Sequence, residues 1–120
     1  MTQENKELLL KDLCARLPYG VKMSVNDNVE VLQGIHTVDN IVEYSSFLAS
    51  EIEDCKPYLF PLSSMTEEQE KEYNNLNCYE LGCFPHSEEA LDYLTKNHFD
   101  YRYLIEKGLA IDATGLNIYF

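Results

Sequence analysis

The spacing of apolar residues changes abruptly at Pro18 and Gly20, and this change constrains the fold more than any other feature. Before it, over residues 2–17, the apolar positions recur every three or four residues, which predicts an amphipathic helix. These positions are Leu9, Leu10, Leu13, Cys14 and Leu17. A proline pushes the residue before it out of the helical region, and glycine tolerates a turn, so the helix should end here.

After Gly20 the apolar period becomes two, which is the period of a half-buried strand. The alternating apolar positions are Val21, Met23, Val25, Val29 and Val31. The polar residues 26–28 interrupt them with turn chemistry, so a β-hairpin is predicted. Gly34 predicts a bulge, and Asp39 with Asn40 predicts a further turn.

Short strands are then expected at 41–44 and within 47–52. The predicted fold class is therefore α+β: an N-terminal helix, a three- to four-stranded antiparallel meander that could curve into a small SH3-like open barrel, and two or three C-terminal helices. At 120 residues the chain has the length of one domain.

The segment EDCKPYLFPLSSMTEEQEKEY, residues 53–73, divides the two halves of this domain. It is poor in glycine, and its two prolines favour an extended backbone. Its aromatic and aliphatic side chains have too much apolar surface to remain in water. We expect residues 57–66 to form a rigid connector against the core, between a helix and meander at 1–56 and a helical part with a docked tail at 67–120.

Helix starts are marked by capping residues in this second half. Thr66 and Gln69 have the spacing of a capping box, which predicts a helix over 67–76. Ser87 is the predicted cap of a second helix. Asp100 is the predicted cap of a short third one that ends at Gly108.

The formal net charge is −12, and most of it lies in the middle of the chain. Residues 43–92 contain twelve acidic and two basic residues, so ten of the twelve excess negative charges lie there. Nucleic-acid binding needs Lys and Arg to displace phosphate counterions, so this charge disfavours a nucleic-acid partner. There is no long apolar run and no secretory-signal pattern, so we expect no membrane association and a cytoplasmic location.

The chain has four cysteines and three histidines, residue types that can support redox, metal or nucleophilic chemistry. Without an export signal the thiols should stay reduced and behave as small buried hydrophobes. Cys78, Cys83 and His86 have the spacing C-x4-C-x2-H, with His98 as an imaginable fourth ligand, but zinc sites favour tighter pairs. We therefore predict no metal, no cofactor and no catalytic residue.

Aromatic residues are concentrated in the same half as the acidic ones. Of nine Tyr and five Phe, all but Tyr19 lie from Tyr44 onward. Tyrosine combines an apolar face with a polar tip, which suits protein contacts as well as core edges. The possible partner-contact residues are Tyr58, Phe60, Tyr73, Tyr79, Tyr101 and Tyr103.

Three stretches carry a resemblance to a known group of proteins: LLLKDLCARLPYGV, CKPYLFPLSSMTEEQ and NHFDYRYLIEKGLAIDATGLNIY. They resemble an uncharacterised family of small proteins from gut Bacteroides and relatives, often found in prophages or other mobile elements. The resemblance implies no catalytic residue. Tyr103 departs from the family pattern, in which a glycine commonly follows Asp100, Tyr101 and Arg102.

These observations lead to three hypotheses for function. The first is a non-enzymatic protein-binding or adaptor protein with an unidentified protein partner, for which the resemblance implies a prophage or mobile-element origin. The second is an acidic DNA mimic that inhibits a host DNA-binding protein. The third is a thiol- or metal-dependent enzyme that uses Cys78, Cys83 and His86. An exposed edge of the meander could also pair two copies into a homodimer.

Overall fold

The computed structural model describes residues 1–76 and 88–119. It confirms the α+β fold class, with one helix before the strands and two after most of them. The helices are α1 (Gln3–Arg16), α2 (Glu67–Leu76) and α3 (Glu88–Lys96). The strands are β1 (Lys22–Val25), β2 (Asn28–His36), β3 (Ile41–Tyr44), β4 (Ala49–Glu51), β5 (Cys55–Pro61), β6 (Phe99–Asp100) and β7 (Ile111–Asp112).

Helix α1 begins and ends as the sequence predicts and buries the predicted leucines, but its buried face also contains residues that were not expected there. Thr2 caps it by accepting a hydrogen bond from the Asn5 backbone N–H at 3.1 Å. Leu9 and Leu13 are fully buried, whereas Cys14 is exposed, so the expectation of a buried thiol is wrong for this residue. Two charged side chains, Asp12 and Arg16, share the buried face with the leucines.

The predicted hairpin and bulge are both present. Asn26 and Asp27 join β1 to β2 with φ of 49° and 66°, the left-handed conformation that two-residue hairpin loops require. The register between β2 and β3 shifts between Leu32 and Gly34, as the isolated glycine predicts.

The expectation of a purely antiparallel meander is wrong, because the sheet is mixed and has seven strands in the part of the chain that the structure describes. Strands β1 to β4 do pair antiparallel in sequence, in the order β4-β3-β2-β1. Strand β5 then pairs antiparallel with β1, and β6 and β7 each pair parallel with β5. The last two strands have two residues each and no alternation to reveal them.

The segment expected to be a rigid connector is largely strand β5. Its apolar residues lie against the core as expected, with Leu59 fully buried and Pro57 also buried. The extended conformation that the prolines favour is also that of a strand. No local pattern indicated that this segment would pair with both ends of the chain.

The capping box at the start of α2 is confirmed. The Thr66 N–H donates to Gln69 Oε1 at 2.9 Å, and the Gln69 N–H donates to Thr66 Oγ1 at 3.1 Å. The short helix expected after Asp100 is absent, since residues 101–110 form turns. The Asp100 carboxylate does cap this segment by accepting from the Leu104 and Ile105 N–H groups, but Tyr103 has φ of 59°, which interrupts a helix.

Candidate functional site

The aromatic residues predicted as partner contacts are mostly half-buried. Tyr58, Phe60, Tyr73 and Tyr101 fall in this class, and Tyr103 is 59% exposed. Tyr79 lies outside the described residues, as do Cys78, Cys83 and His86. The predicted aromatic residues therefore do not form one open face among the described residues.

Tyr101 belongs to a charged network that joins α1 to the C-terminal part. Its ring lies 4.8 Å from the Arg102 guanidinium carbon and 5.3 Å from that of Arg16. Asp12, which is fully buried, accepts from Arg16 Nε at 2.7 Å and from Arg102 Nε at 3.2 Å. Arg16 also donates to the Phe99 carbonyl at 2.6 Å. These contacts give Tyr101 a structural role.

Phe60 belongs to an aromatic cluster at the end of β5. Its ring centroid is 6.2 Å from that of Phe99 and 5.8 Å from that of Tyr119. Tyr119 stacks in parallel on His98 at 3.9 Å and donates to the Tyr58 carbonyl at 2.7 Å. Burial raises the pKa of Tyr119 to about 12, so the phenol remains neutral.

The most exposed large apolar side chains lie on turns of the meander. Phe47 is 95% exposed and is followed by the exposed Leu48, in the turn 45–48 that joins β3 to β4. Val38 is 93% exposed in the turn between β2 and β3, at the opposite end of β3. A single exposed apolar residue is ordinary, whereas adjacent ones on a turn are less expected, since turns favour small polar residues.

Phe47 also has an unfavourable backbone conformation. The hairpin closes tightly around it, because the Phe47 N–H donates to the Tyr44 carbonyl at 3.0 Å and the Tyr44 N–H donates to the Leu48 carbonyl at 2.9 Å. Within this turn Phe47 has φ of 70°. Hairpins of this length usually place glycine or asparagine at the left-handed position. A bulky residue there is an outlier that tends to mark a functional position.

Carboxylates lie on the strands beside this turn. Glu43 on β3 and Glu51 on β4 are both exposed, and Glu43 accepts a hydrogen bond from, or ion-pairs with, His36 at 2.6 Å. The pKa of Tyr44 is raised mainly by burial and then by Cys55, and Glu30 on β2 adds a smaller effect in the same direction. The turn thus presents two apolar side chains on an acidic sheet.

Chemistry based on a thiol or metal has no support within residues 1–76 and 88–119. No group of three His, Cys, Asp or Glu side chains in this part of the chain is arranged to hold a metal ion. Burial raises the pKa of Cys55, which keeps that thiol protonated and unreactive.

No family model, curated protein or solved structure matches the chain. The resemblance to small proteins of Bacteroides therefore stays a prediction. Among the described residues, no helix is long and apolar enough to span a membrane.

Sequence reasoning missed the turn 45–48 because it assigned Phe47 and Leu48 to a strand. The available signal was Ser45 and Ser46 directly before two large apolar residues, whereas the turns at 26–27 and 37–40 of the same meander carry Asn and Asp.

Proposed function

We propose that this is a non-enzymatic protein-binding protein that docks a partner through the turn 45–48. The observation that carries the proposal is Phe47, a large aromatic side chain that is almost fully exposed at a left-handed backbone position.

The energetics of the isolated chain give no reason for Phe47. Its ring gains little from packing, and a left-handed conformation costs an ordinary residue about 1–2 kcal/mol. Burial of such a ring in a partner's pocket removes apolar surface from water and contributes about 1.5–3 kcal/mol. Aromatic side chains of this kind are typical binding hot spots.

The charge near the turn defines the partner. Glu43 lies on β3 beside the turn, opposite Ala49, and Glu51 lies at the far end of β4, opposite Ile41. The whole chain carries a net charge of −12. An acidic surface attracts a basic one and disfavours acidic competitors. The proposed partner therefore has an apolar pocket for Phe47 with lysine or arginine at its rim. A bacterial host protein would fit the mobile-element setting that the resemblance implies.

Site-specific photocrosslinking tests this proposal. A photoreactive phenylalanine analogue at position 47 should crosslink one partner in Bacteroides cells. The same analogue at Val38 is the matched control, because that residue is equally exposed on the opposite turn. A specific product from position 47 alone, displaced by excess unmodified protein, supports the proposal. Identical products from both positions, or none from position 47, would contradict it.

A further inference from the structure

A second site is a cleft of about 490 Å³ that lies between the end of β5, the start of α2, the end of α3 and the tail. Binding sites for small molecules commonly enclose about 300–1,000 Å³. Four rings form the apolar part of its wall, those of Phe60, His98, Phe99 and Tyr119. The parallel stack of His98 on Tyr119 provides a flat surface, which favours a planar ligand.

Hydrogen-bonding groups also line the cleft, beside the four rings. Thr66 and Gln69 lie at the positive end of the α2 dipole. Gln69 uses its Oε1 atom to accept from Thr66, which leaves its Nε2 amide as a donor. Lys96, exposed at the end of α3, is the one Lys or Arg that lines the cleft within residues 1–76 and 88–119.

The lining contains no Asp or Glu among the described residues, although the chain has 21 acidic residues. Two further cations, Lys22 and Arg16, lie close to lining residues without lining the cleft themselves. Lys22 Nζ lies 5.7 Å from the Tyr119 ring and donates to the Ile118 carbonyl. Arg16 and Lys22 also act on His98, where burial and then these two cations lower the pKa to about 4. Asp12 offsets part of the Arg16 charge. Glu67, Glu68 and Glu70 occupy the first turn of α2 but do not line the cleft. The described lining therefore carries one cation and no carboxylate, in a protein with an excess of acids.

The conformation and burial of His98 are energetically unfavourable in two respects. It follows the end of α3 with φ of 65°, a position where glycine is favoured. Its Nδ1 atom is buried and, among the described residues, has no hydrogen-bond partner. An unsatisfied buried polar atom is uncommon and requires an explanation. A requirement for the flat ring in the cleft would explain both features.

We propose that this cleft binds a small planar aromatic carboxylate. The ligand ring packs against Tyr119, Phe60 and Phe99, and the carboxylate faces Lys96 and the donors at the start of α2. The site does not depend on the proposed protein partner, because the turn 45–48 contributes no residue to the cleft.

Naphthalene-2-carboxylate is the probe, and the neutral naphthalene-2-carboxamide is its matched control. In NMR titrations of the full chain, the carboxylate should shift the signals of Gln69, His98 and Thr114, and should bind roughly tenfold more tightly than the amide, a difference of about 1.4 kcal/mol. Equal affinity for both compounds, or no shift at these residues, would overturn the proposal.

Two variants separate charge from shape. Lys96→Gln should reduce the affinity for the carboxylate to the affinity for the amide. Lys107 is an exposed lysine outside the cleft, so Lys107→Gln should leave the affinities for both compounds unchanged. Thr114→Trp should block both compounds, since Thr114 is exposed at the cleft and the larger ring fills it. Undiminished selectivity in Lys96→Gln, or unchanged binding in a folded Thr114→Trp protein, would show that the probe binds elsewhere.

Discussion

Three bulky residues, Phe47, His98 and Tyr103, have left-handed backbone conformations, and each has a different environment. Phe47 and Tyr103 lie on open turns, whereas His98 stacks on Tyr119. Such positions usually belong to glycine or asparagine. A side chain retained there without packing contributes little to folding, which makes Phe47 the strongest single indication of a contact role.

Tyr103→Gly should stabilise the protein. Glycine adopts φ of 59° without steric cost, and the exposed ring contributes little. Glycine also makes the unfolded chain more flexible, which offsets part of the relieved strain. We therefore expect a net gain of about 0.5–1 kcal/mol in the free energy of unfolding, measured in urea. Tyr103→Ala is the control, because it removes the ring but keeps the strain. An equal gain in both variants would show that the backbone is not the cause. This turn is also where the sequence departs from the Bacteroides pattern, which commonly has glycine.

Asp12→Asn should be strongly destabilising, because it leaves the buried Arg16 without its counter-charge. Arg102 loses its carboxylate partner as well. Breaking a buried ion pair by removing one partner costs about 3–5 kcal/mol. Glu7→Gln, an exposed acid on the same helix, should change stability little. A loss for Asp12→Asn as small as that of Glu7→Gln in urea unfolding would contradict a stabilising role for the network.

At the scale of elements, the junction between α3 and β6 makes stability depend on pH through His98. The pKa of this side chain is lowered by burial, and then by Arg16 and Lys22, from 6.5 to about 4. The unfolded chain therefore takes up a proton below pH 6.5, and the folded protein only below about pH 4. Stability should fall as the pH drops through this window and recover above it.

His98→Asn tests this dependence, because asparagine tolerates the left-handed conformation but does not titrate. Urea unfolding at about pH 7.5 and about pH 5.5 should show a smaller loss of stability at the lower pH in the variant than in the original protein. The carboxylates that titrate in this range are the same in both proteins, so the difference reports on His98 alone. Equal losses would mean that His98 does not resist protonation in the folded state.

Elements that depend on local chemistry could be predicted from the sequence. The capping box of α2, the hairpin at Asn26 and Asp27 and the bulge at Gly34 each follow from residues close together in the chain. The parallel pairing of β5 with β6 and β7 could not be predicted, since two-residue strands carry no period and their partners lie about 40 to 50 positions away.

Only some residues of the two candidate sites could be predicted from the sequence. Phe60 was singled out and does line the cleft, but His98 and Tyr119 meet it only through the fold. The apolar face of α1 was predicted from its leucines, whereas the buried Asp12 and Arg16 were missed because charged residues are expected in water. Their buried polar groups find partners that are distant in sequence: Asp12 accepts from Arg102, and Arg16 donates to the Phe99 carbonyl.

At the scale of the whole molecule, charge and apolar exposure separate the two sites. The turn 45–48 follows β3, which carries Glu43, whereas the cleft lies between the end of β5 and the elements that follow it, and its described lining has Lys96 but no carboxylate. Because the protein has a net charge of −12, association with the proposed basic partner should be accelerated by long-range attraction. Stopped-flow association rates should therefore fall as salt is raised, while a rate that is independent of salt would argue against a basic partner.

The most direct test of the central claim is to measure both affinity and stability for Phe47→Gly, with the partner identified by crosslinking. The glycine relieves the left-handed strain and removes the ring. We predict a loss of at least about tenfold in affinity, as expected for a hot-spot residue, while the free energy of unfolding stays equal or rises by about 1 kcal/mol. Val38→Ala should change neither quantity. If Phe47→Gly binds the partner as tightly as the original protein does, the turn is not the docking site and the proposed function is wrong.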